Sequence, residues 1–340
     1  MSVDRDESTP SQALRRLVNG FQVAQAVSLA AKLGIADLLR DGPLGSDEIA
    51  AATGADPDAM YRLLRGLGSV GVFREEASRR FALTLLGDCL RSDAPDSVHD
   101  WAVYRGQQHI WAAWAALELS VRTGRAAFPH VHGADLWEYQ SRHPELGAVF
   151  DRAMADLARG ATEALLDAFD FGRFTTVADI AGGQGTLLAA MLARHPGLRG
   201  VLFDLPRVVQ AAGPMLQAAG VAGRCRVVQG SLFEEVPAGA DAYVLKSILH
   251  DWDDERSIAI LHTVRRAMPP GGTLLVIERE LGPPNARPDG QFSDLNMLVT
   301  LGGRERTQAE WEALFAATGF RLSGVTPTAS PWSVVAGEPA

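Results

Sequence analysis

The sequence contains few cysteines, few lysines and no long apolar run. Its two cysteines, Cys89 and Cys225, are too few for a disulfide framework, and they form no C-x-x-C pair that would indicate zinc. No stretch approaches the ~20 consecutive apolar residues of a membrane span, and the start of the chain lacks the basic and apolar regions of a secretory signal. We therefore expect a cytoplasmic protein with no membrane partner.

Lysine is scarce, since Lys32 and Lys246 are the only two and nearly all the positive charge is arginine, and the net charge is −9. This balance argues against a nucleic-acid partner, which would be held through phosphate contacts. With 47% hydrophobic and 21% charged residues, the composition is that of an ordinary globular protein. A chain of 340 residues has room for one large domain and one smaller domain.

The first 160 residues have mostly helical patterns. Residues 11–40 predict a helix that Gly34 interrupts and whose wide apolar face suits a subunit interface. Residues 45–86 have the rhythm of a winged helix, a fold that many DNA-binding proteins use. Residues 1–100 nevertheless contain 11 Lys and Arg against 15 Asp and Glu, so we favour a packing module over DNA binding. Helical residues 97–160 hold four of the seven tryptophans, which can form a core or the walls of a pocket for a flat aromatic ligand.

From about residue 165 the pattern changes to short apolar runs that alternate with helical segments. The run T-V-A-D-I-A-G-G-Q-G at 176–185 predicts a buried strand and a glycine turn, with a helix from Thr186. Such a turn suits a nucleotide, because backbone N–H groups at a helix N-terminus are open to a ligand. Leu188 stands where a dinucleotide fingerprint requires glycine or alanine, so a small nucleoside ligand is favoured over NAD.

The remaining runs predict a doubly wound sheet that ends in an antiparallel hairpin. The predicted parallel strands lie at 200–205, 225–230, 241–246 and 272–278, and the hairpin at 320–325 and 332–336.

Polar residues follow several of these strands, at the sheet edge where ligands bind in this fold. Asp204 ends the second strand and can accept the hydroxyls of a ribose or cap the next helix. His250 follows the fourth strand, where an imidazole can act as a general base or be satisfied at a helix start. Glu278 ends the fifth strand and Glu305 lies beyond it. Either carboxylate can orient the imidazole and stabilise its charged form, or both are solvated acids.

Four motifs complete the pattern: D-I-A-G-G-Q-G at 179–185, F-D-L-P at 203–206, K-S-I-L-H-D-W at 246–252 and N-M-L-V-T-L-G-G-R-E-R-T at 296–307. On these motifs the chain resembles, over essentially its whole length, the plant-type S-adenosylmethionine-dependent O-methyltransferases, in the bacterial branch that methylates aromatic natural products. The resemblance implies an α/β fold with a Rossmann-like methyltransferase sheet in residues 161–340. It also implies a homodimer, with a winged-helix dimerisation and substrate-lid domain in residues 1–160.

The resemblance implies roles for individual residues. His250 becomes the general base, and Glu278 and Glu305 become its orienting carboxylates. The cofactor S-adenosylmethionine is expected against residues of the turn, the strand ends and the loops: Gly182, Gly183, Gly185, Asp204, Ser231, Leu232, Phe233 and Lys246. The substrate is expected against Phe150, Met154, Asn296 and Met297. No metal is expected.

Two departures from the family pattern concern the cofactor site. Ala181 stands where relatives usually have glycine, which slightly crowds the turn. Ser231 stands where they often have aspartate, and a hydroxyl bonds an adenine amino group without charge assistance. We therefore expect weaker cofactor binding, not its loss.

The implied reaction is methylation of a phenolic hydroxyl of an aromatic, polyketide-like compound. In it, His250 takes the phenol proton while the oxygen attacks the sulfonium methyl. Two alternatives stay open. Some relatives bind S-adenosylmethionine but catalyse hydroxylation or decarboxylation, and a winged helix can belong to a ligand-sensing DNA regulator. The retained histidine and glutamates favour methyl transfer.

Overall fold

A computed structural model describes residues 9–285 and 288–340. Contacts divide the chain into two units, Met1–Ala112 with Trp137–Leu157, and Ala113–Leu136 with Ala158–Ala340. The functional boundary expected at residue 160 stays a prediction. No helix formed by the described residues combines the length and the apolar character that crossing a membrane requires.

The first unit begins with separate helices over residues 11–40, where the sequence pattern predicted one helix interrupted at Gly34. The break at Gly34 is confirmed, and a second break lies at Asn19. Asn19 and Gly20 are weak helix formers and interrupt the pattern, and Gly34 adopts the left-handed φ of 65° at the next break. Several apolar side chains of the first two helices are exposed, among them Leu17 at 78% and Phe21 at 52%. The helices are α1 (Pro10–Val18), α2 (Gly20–Lys32) and α3 (Ile35–Leu38).

The predicted winged helix follows in the same unit. Its elements are β1 (Leu44–Gly45), α4 (Ser46–Thr53), α5 (Pro57–Ser69), β2 (Phe73–Glu75), β3 (Arg80–Leu83) and α6 (Leu85–Asp88). Strand β3 lies between β1 and β2 and is antiparallel to both. Ile49, Leu64 and Phe81 are fully buried between these elements, so the module has a core of its own.

Residues 97–160 are helical, as the sequence predicted. The elements are α7 (His99–Arg105), α8 (Gln108–Ala115), α9 (Leu117–Thr123), α10 (Ala127–His132), α11 (Leu136–Arg142) and α12 (Pro144–Ala168). Within the first unit, the ring of Phe150 packs edge-on against Tyr104 at 5.3 Å and Trp137 at 5.7 Å. Part of the aromatic cluster therefore forms ring-to-ring packing.

The predicted α/β sheet with its antiparallel C-terminal hairpin is confirmed in the second unit. Its strands, among the described residues, are β4 (Thr176–Ile180), β5 (Arg199–Asp204), β6 (Cys225–Gln229), β7 (Ala242–Lys246), β8 (Thr273–Arg279), β9 (Phe320–Pro327) and β10 (Trp332–Pro339). They lie in the order β6-β5-β4-β7-β8-β10-β9. Strand β10 is antiparallel to β8 and β9, and the other pairs are parallel. The parallel strands therefore present their carboxyl ends at one edge.

Helices connect and cover these strands. They are α13 (Thr186–Arg194), α14 (Pro206–Val209), α15 (Ala212–Ala218), α16 (Asp254–Ala267), α17 (Pro288–Thr300) and α18 (Gln308–Ala317). Leu188 of α13 is accommodated against the sheet because residue 200 is glycine, where a Cβ would lie 3.0 Å from the Leu188 side chain. The small residue that lets α13 pack closely on the sheet is therefore Gly200 of β5, and not residue 188 of the helix.

Candidate active site

The glycine turn after β4 needs its glycines for different reasons. A Cβ at Gly182 would lie 2.5 Å from the carboxylate of Asp179, so no side chain fits there. Gly183 and Gly185 have left-handed φ angles of 64° and 83°, which glycine adopts without strain. The space above Gly183 is open, since a Cβ there would meet no atom within 4 Å. The turn therefore leaves room for a ligand beside its backbone.

Ala181, one of the two departures from the family pattern, also has a left-handed backbone, with a φ of 55°. This conformation costs a residue with a side chain about 1–2 kcal/mol. The consequence of the missing glycine is thus backbone strain, in addition to the crowding expected from the sequence. The expected loss of cofactor affinity stays a prediction.

Asp204 connects the end of β5 to the turn. Its Oδ2 accepts a hydrogen bond from the N–H of Gly183 at 2.8 Å, and its Oδ1 accepts one from Leu205 at 2.6 Å. Burial raises the pKa of Asp204, although these two hydrogen bonds oppose the rise. The carboxylate expected at the ribose therefore lies directly against the glycine turn.

Asp179 is a candidate site residue that the sequence argument missed. It is 2% exposed on β4, and no described residue donates a hydrogen bond to its Oδ2. Burial raises its pKa to about 7, with the charge of Lys246 opposing the rise and Asp204 adding to it. A buried carboxylate oxygen without a partner fits a site that receives a polar ligand. The signal was an acidic residue inside the apolar run T-V-A-D-I.

The residues expected around adenine follow β6. Ser231 accepts a hydrogen bond from the N–H of Phe233 at 3.3 Å, and the Leu232 carbonyl accepts one from Thr263 at 2.8 Å. The Phe233 ring is 41% exposed and stands edge-on to Trp252 with the ring centroids 5.0 Å apart. A half-exposed aromatic face is thus available beside the sheet edge.

Lys246 ends β7, and burial lowers its pKa, although the charges of Glu278 and Asp179 oppose this. Its Nζ lies 5.1 Å from the ring centroid of Trp332. The next residue, Ser247, has a φ of 55°, and its Oγ accepts a hydrogen bond from Trp332 Nε1 at 3.0 Å. The tryptophan therefore anchors a strained residue at the start of the histidine segment.

His250 lies in the short 3-10 turn Leu249–Asp251. Oε1 of Glu278 accepts hydrogen bonds from the N–H groups of Ile248 and Leu249, both at 2.9 Å, and of His250 at 3.3 Å. The carboxylate at the end of β8 thus orients the backbone that carries the imidazole.

The imidazole faces the same carboxylate and a second one. Nδ1 of His250 lies 2.8 Å from Oε2 of Glu278 and 3.4 Å from Oε1 of Glu305. Both glutamate side chains are 0% exposed. Oε1 of Glu305 accepts a hydrogen bond from Ser293 at 2.7 Å, and its N–H donates to Asp294 at 2.9 Å. The three residues that the sequence singled out are therefore in contact, and α17 supplies groups that orient Glu305.

A third acid beside the imidazole, Asp251, was not singled out from the sequence. Its Oδ1 lies 3.3 Å from Nε2 of His250. Burial raises the pKa of Asp251 to about 7, opposed by the charge of His250 and assisted by those of Glu278 and Glu305. Burial lowers the pKa of His250, but the charges of Glu278 and Asp251, with the contacts to Glu278 and Glu305, raise it well above its ordinary value.

His250, Glu278 and Glu305 also form a group whose possible metal-ligand atoms all lie within 4.8 Å of one another. The 2.8 Å between Nδ1 and Oε2 is also the distance of an ion pair between a protonated imidazole and a carboxylate, which needs no metal ion. The absence of a metal from the reaction stays a prediction.

The residues expected at the substrate belong to different parts of the chain. Phe150 and Met154 lie one turn apart on α12 in the first unit, and both are partly buried. Asn296 and Met297 lie on α17 in the second unit, and Oδ1 of Asn296 accepts a hydrogen bond from Trp114 Nε1 at 3.1 Å. Their contact with a substrate stays a prediction.

Comparison with known proteins identifies the family. Residues 114–321 match the model of the O-methyltransferase domain, and residues 15–93 match the O-methyltransferase dimerisation domain. The chain belongs to the O-methyltransferase family. The resemblance stated from the motifs is therefore confirmed, and the cofactor of this O-methyltransferase is S-adenosylmethionine.

Individual relatives extend over nearly the whole O-methyltransferase. The phenazine O-methyltransferase PhzM of Lysobacter antibioticus is 46% identical, with 97% of this chain and 96% of the relative aligned. The structure of NcsB1, an O-methyltransferase from neocarzinostatin biosynthesis, in complex with S-adenosylmethionine and 2-hydroxy-5-methyl naphthoic acid, has a TM-score of 0.82 at 36% identity. It covers 94% of this chain and 96% of its own. The aclacinomycin 10-hydroxylase RdmB of Streptomyces purpurascens is 36% identical, covering 88% of this chain and 81% of its own.

Proposed function

We propose that this O-methyltransferase methylates a phenolic hydroxyl of an aromatic natural product, with His250 as the general base. The contact between Nδ1 of His250 and the buried carboxylate of Glu278, at 2.8 Å, is the observation that carries the proposal. An aromatic acceptor is supported by the names of relatives, which include a phenazine O-methyltransferase and an enzyme crystallised with a naphthoic acid.

The chain's own residues divide the work as follows. We assign the ring proton of the neutral imidazole to Nδ1, which lies 2.8 Å from Oε2 of Glu278, so Nε2 is the atom that takes the phenol proton. The two buried carboxylates stabilise the positive charge that the imidazole gains. The glycine turn, Asp204, Lys246 and the 231–233 segment hold the cofactor. When bound, S-adenosylmethionine supplies an electrophilic methyl group.

Substrate contact is proposed for Phe150, Met154, Asn296 and Met297, because these residues match positions that often touch substrate in relatives. Residues 1–160 are proposed to form the dimerisation and substrate-lid domain. The exposed apolar side chains of α1 and α2 and the match to the dimerisation model support a homodimer. Leu17→Glu is expected to shift the mass found by light scattering from dimer to monomer.

The proposed reaction is tested with isotopically labelled methyl on the cofactor and a panel of hydroxylated phenazines and naphthoic acids. A product heavier by one labelled methyl group supports the proposal. A product heavier by one oxygen instead supports the alternative that the relative named as a hydroxylase keeps open. His250→Gln should lower kcat at least a hundredfold with the acceptor found in this panel. Turnover at the wild-type rate would show that His250 is not the base.

A further inference from the structure

The carbonyl side of the turn that carries His250 is held by a buried arginine. Arg306 lies in the G-G-R-E-R-T segment, and its side chain is 1% exposed. Its Nη1 donates a hydrogen bond to the carbonyl of Leu249 at 3.0 Å, and its Nη2 donates to the carbonyl of Trp252 at 3.2 Å. The guanidinium therefore joins the two ends of the segment in which His250 lies.

Arg306 is itself held in place. Oδ1 of Asp254 accepts hydrogen bonds from its Nε at 3.2 Å and its Nη2 at 2.8 Å, and Ser257 Oγ accepts one from Nη2 at 3.1 Å. The ring centroid of Trp311 lies 5.3 Å from Cζ. The carbonyl of Arg306 accepts a hydrogen bond from Leu281 at 3.1 Å, just beyond β8, the strand that carries Glu278. A planar guanidinium makes these contacts in fixed directions, which an ammonium group does not.

We infer that Arg306 is a positioning residue for the proposed general base. Glu278 holds the N–H groups of the turn and Arg306 holds its carbonyls, so the imidazole stays against Glu278 and Glu305. The G-G-R-E-R-T segment packs closely against the turn that carries His250, since a Cβ at Gly303 would lie 2.0 Å from the carbonyl oxygen of His250. This inference rests on the proposed function of His250.

The test compares Arg306→Lys with Arg304→Gln. Arg304 pairs with the same Asp254 carboxylate at 3.0 Å, but its side chain is 48% exposed, and in the described part of the chain that side chain has no hydrogen bond to the turn carbonyls. The backbone N–H of Arg304 donates to the carbonyl of His250 at 2.9 Å, and Arg304→Gln keeps this bond. The first readout is the pKa of His250, measured by an NMR pH titration of its Cε1–H signal in the full-length, cofactor-free protein. That signal is identified by its absence from the spectrum of His250→Gln. The second is kcat with the acceptor found in the phenolic panel.

Arg306→Lys is expected to move the pKa of His250 towards its ordinary value of ~6.5. It should lower kcat on the order of a hundredfold, because small displacements of a reacting group cost that much. Arg304→Gln should leave the pKa of His250 unchanged and kcat within twofold of the wild type. A merely structural role for Arg306 would lower the melting temperature and leave the pKa and kcat unchanged, and that result would overturn the inference.

A second variant covers the case in which Arg306→Lys does not fold. Asp254→Asn, at a side chain that is 54% exposed, loosens Arg306 from outside the turn. It should change both readouts in the same direction, with a smaller loss of kcat of about threefold, and unchanged values would again overturn the inference. If His250→Gln keeps wild-type turnover, the base proposal fails, while the pKa of His250 in the Arg306 and Asp254 variants still decides whether the arginine positions it.

Discussion

Glu278→Gln is expected to cause a large loss of activity with little change in shape. The Gln side chain keeps an oxygen that can accept the backbone hydrogen bonds now made to Oε1, at 2.9, 2.9 and 3.3 Å. Its amide nitrogen then replaces Oε2, which lies 2.8 Å from Nδ1 of His250. Because an amide nitrogen only donates, Nδ1 has to accept, and the ring proton moves to Nε2. In the neutral imidazole, the form that can act as a base, the atom that should take the phenol proton is then already protonated.

The magnitude follows from the alternatives open to the amide. Rotating it by half a turn would restore the tautomer, but it would leave three backbone N–H groups facing a donor. Each unsatisfied buried group costs about 1–3 kcal/mol, so the rotated form is disfavoured by at least ~3 kcal/mol. General base catalysis contributes about 10²–10⁴ in rate. We therefore expect Glu278→Gln to lower kcat by about that factor.

The assay is kcat by mass spectrometry with the phenolic acceptor, together with calorimetric titration of S-adenosylhomocysteine and thermal melting. Glu305→Gln is the matched control, since Oε1 of Glu305 lies farther from Nδ1, at 3.4 Å, and Gln can still accept the hydrogen bond from Ser293. The control should lose less than about tenfold in kcat. Activity of Glu278→Gln within tenfold of the wild type, or an equal loss in Glu305→Gln, would refute the tautomer argument.

Four further predictions concern the turn, the base and metal. Asp179→Asn should raise the free energy of unfolding by a few kcal/mol at pH 8 but not at pH 4, because the pKa raised to about 7 destabilises the folded state above ~3.9. It should also weaken cofactor binding in calorimetry. Ala181→Gly should raise the free energy of unfolding, measured in urea, by roughly 0.5–1 kcal/mol, because the strain that it relieves exceeds the entropy cost of glycine. The control Ala189→Gly, on α13, should lower the free energy of unfolding by about 1 kcal/mol. The free energy of unfolding of the wild type should exceed that of His250→Gln by its largest margin below pH ~6.5. This difference should vanish as the pH rises through the raised pKa of His250. A chelator such as EDTA should leave kcat unchanged, and loss of activity restored by a divalent ion would contradict this.

The centre of the sheet could be predicted from the sequence because its inner strands are buried on both faces. Such strands appear as short uninterrupted apolar runs, and the run at 176–180 coincides with β4 (Thr176–Ile180). The break in the first helix was less visible, since an amphipathic pattern can continue across two weak helix formers. The local cost of Asn19 and Gly20 decided it.

The candidate site could be predicted only in part. Asp204, His250 and Glu278 follow parallel strands, and fold topology alone brings strand ends to one edge. Glu305 lies outside any strand, so strand order did not place it beside His250, and the family resemblance was needed to favour an orienting carboxylate over a solvated acid. Asp179 was overlooked, because the sequence of an apolar run does not show which groups contact a single acidic side chain within it. The φ of Ala181 followed from no local rule, since alanine disfavours the left-handed region that the turn imposes.

The two arginines of the G-G-R-E-R-T segment show most clearly where sequence reasoning ends. As neighbours of Glu305 they made a solvated acid plausible, yet Arg304 is 48% exposed and Arg306 is 1% exposed. The difference comes from partners about fifty residues away in the chain, which no local pattern reports. Burying a charged guanidinium is costly unless nearly all its donors are used. That cost is met here by the carbonyls of the turn that holds His250, so the contacts that stabilise the buried arginine also limit the motion of the imidazole.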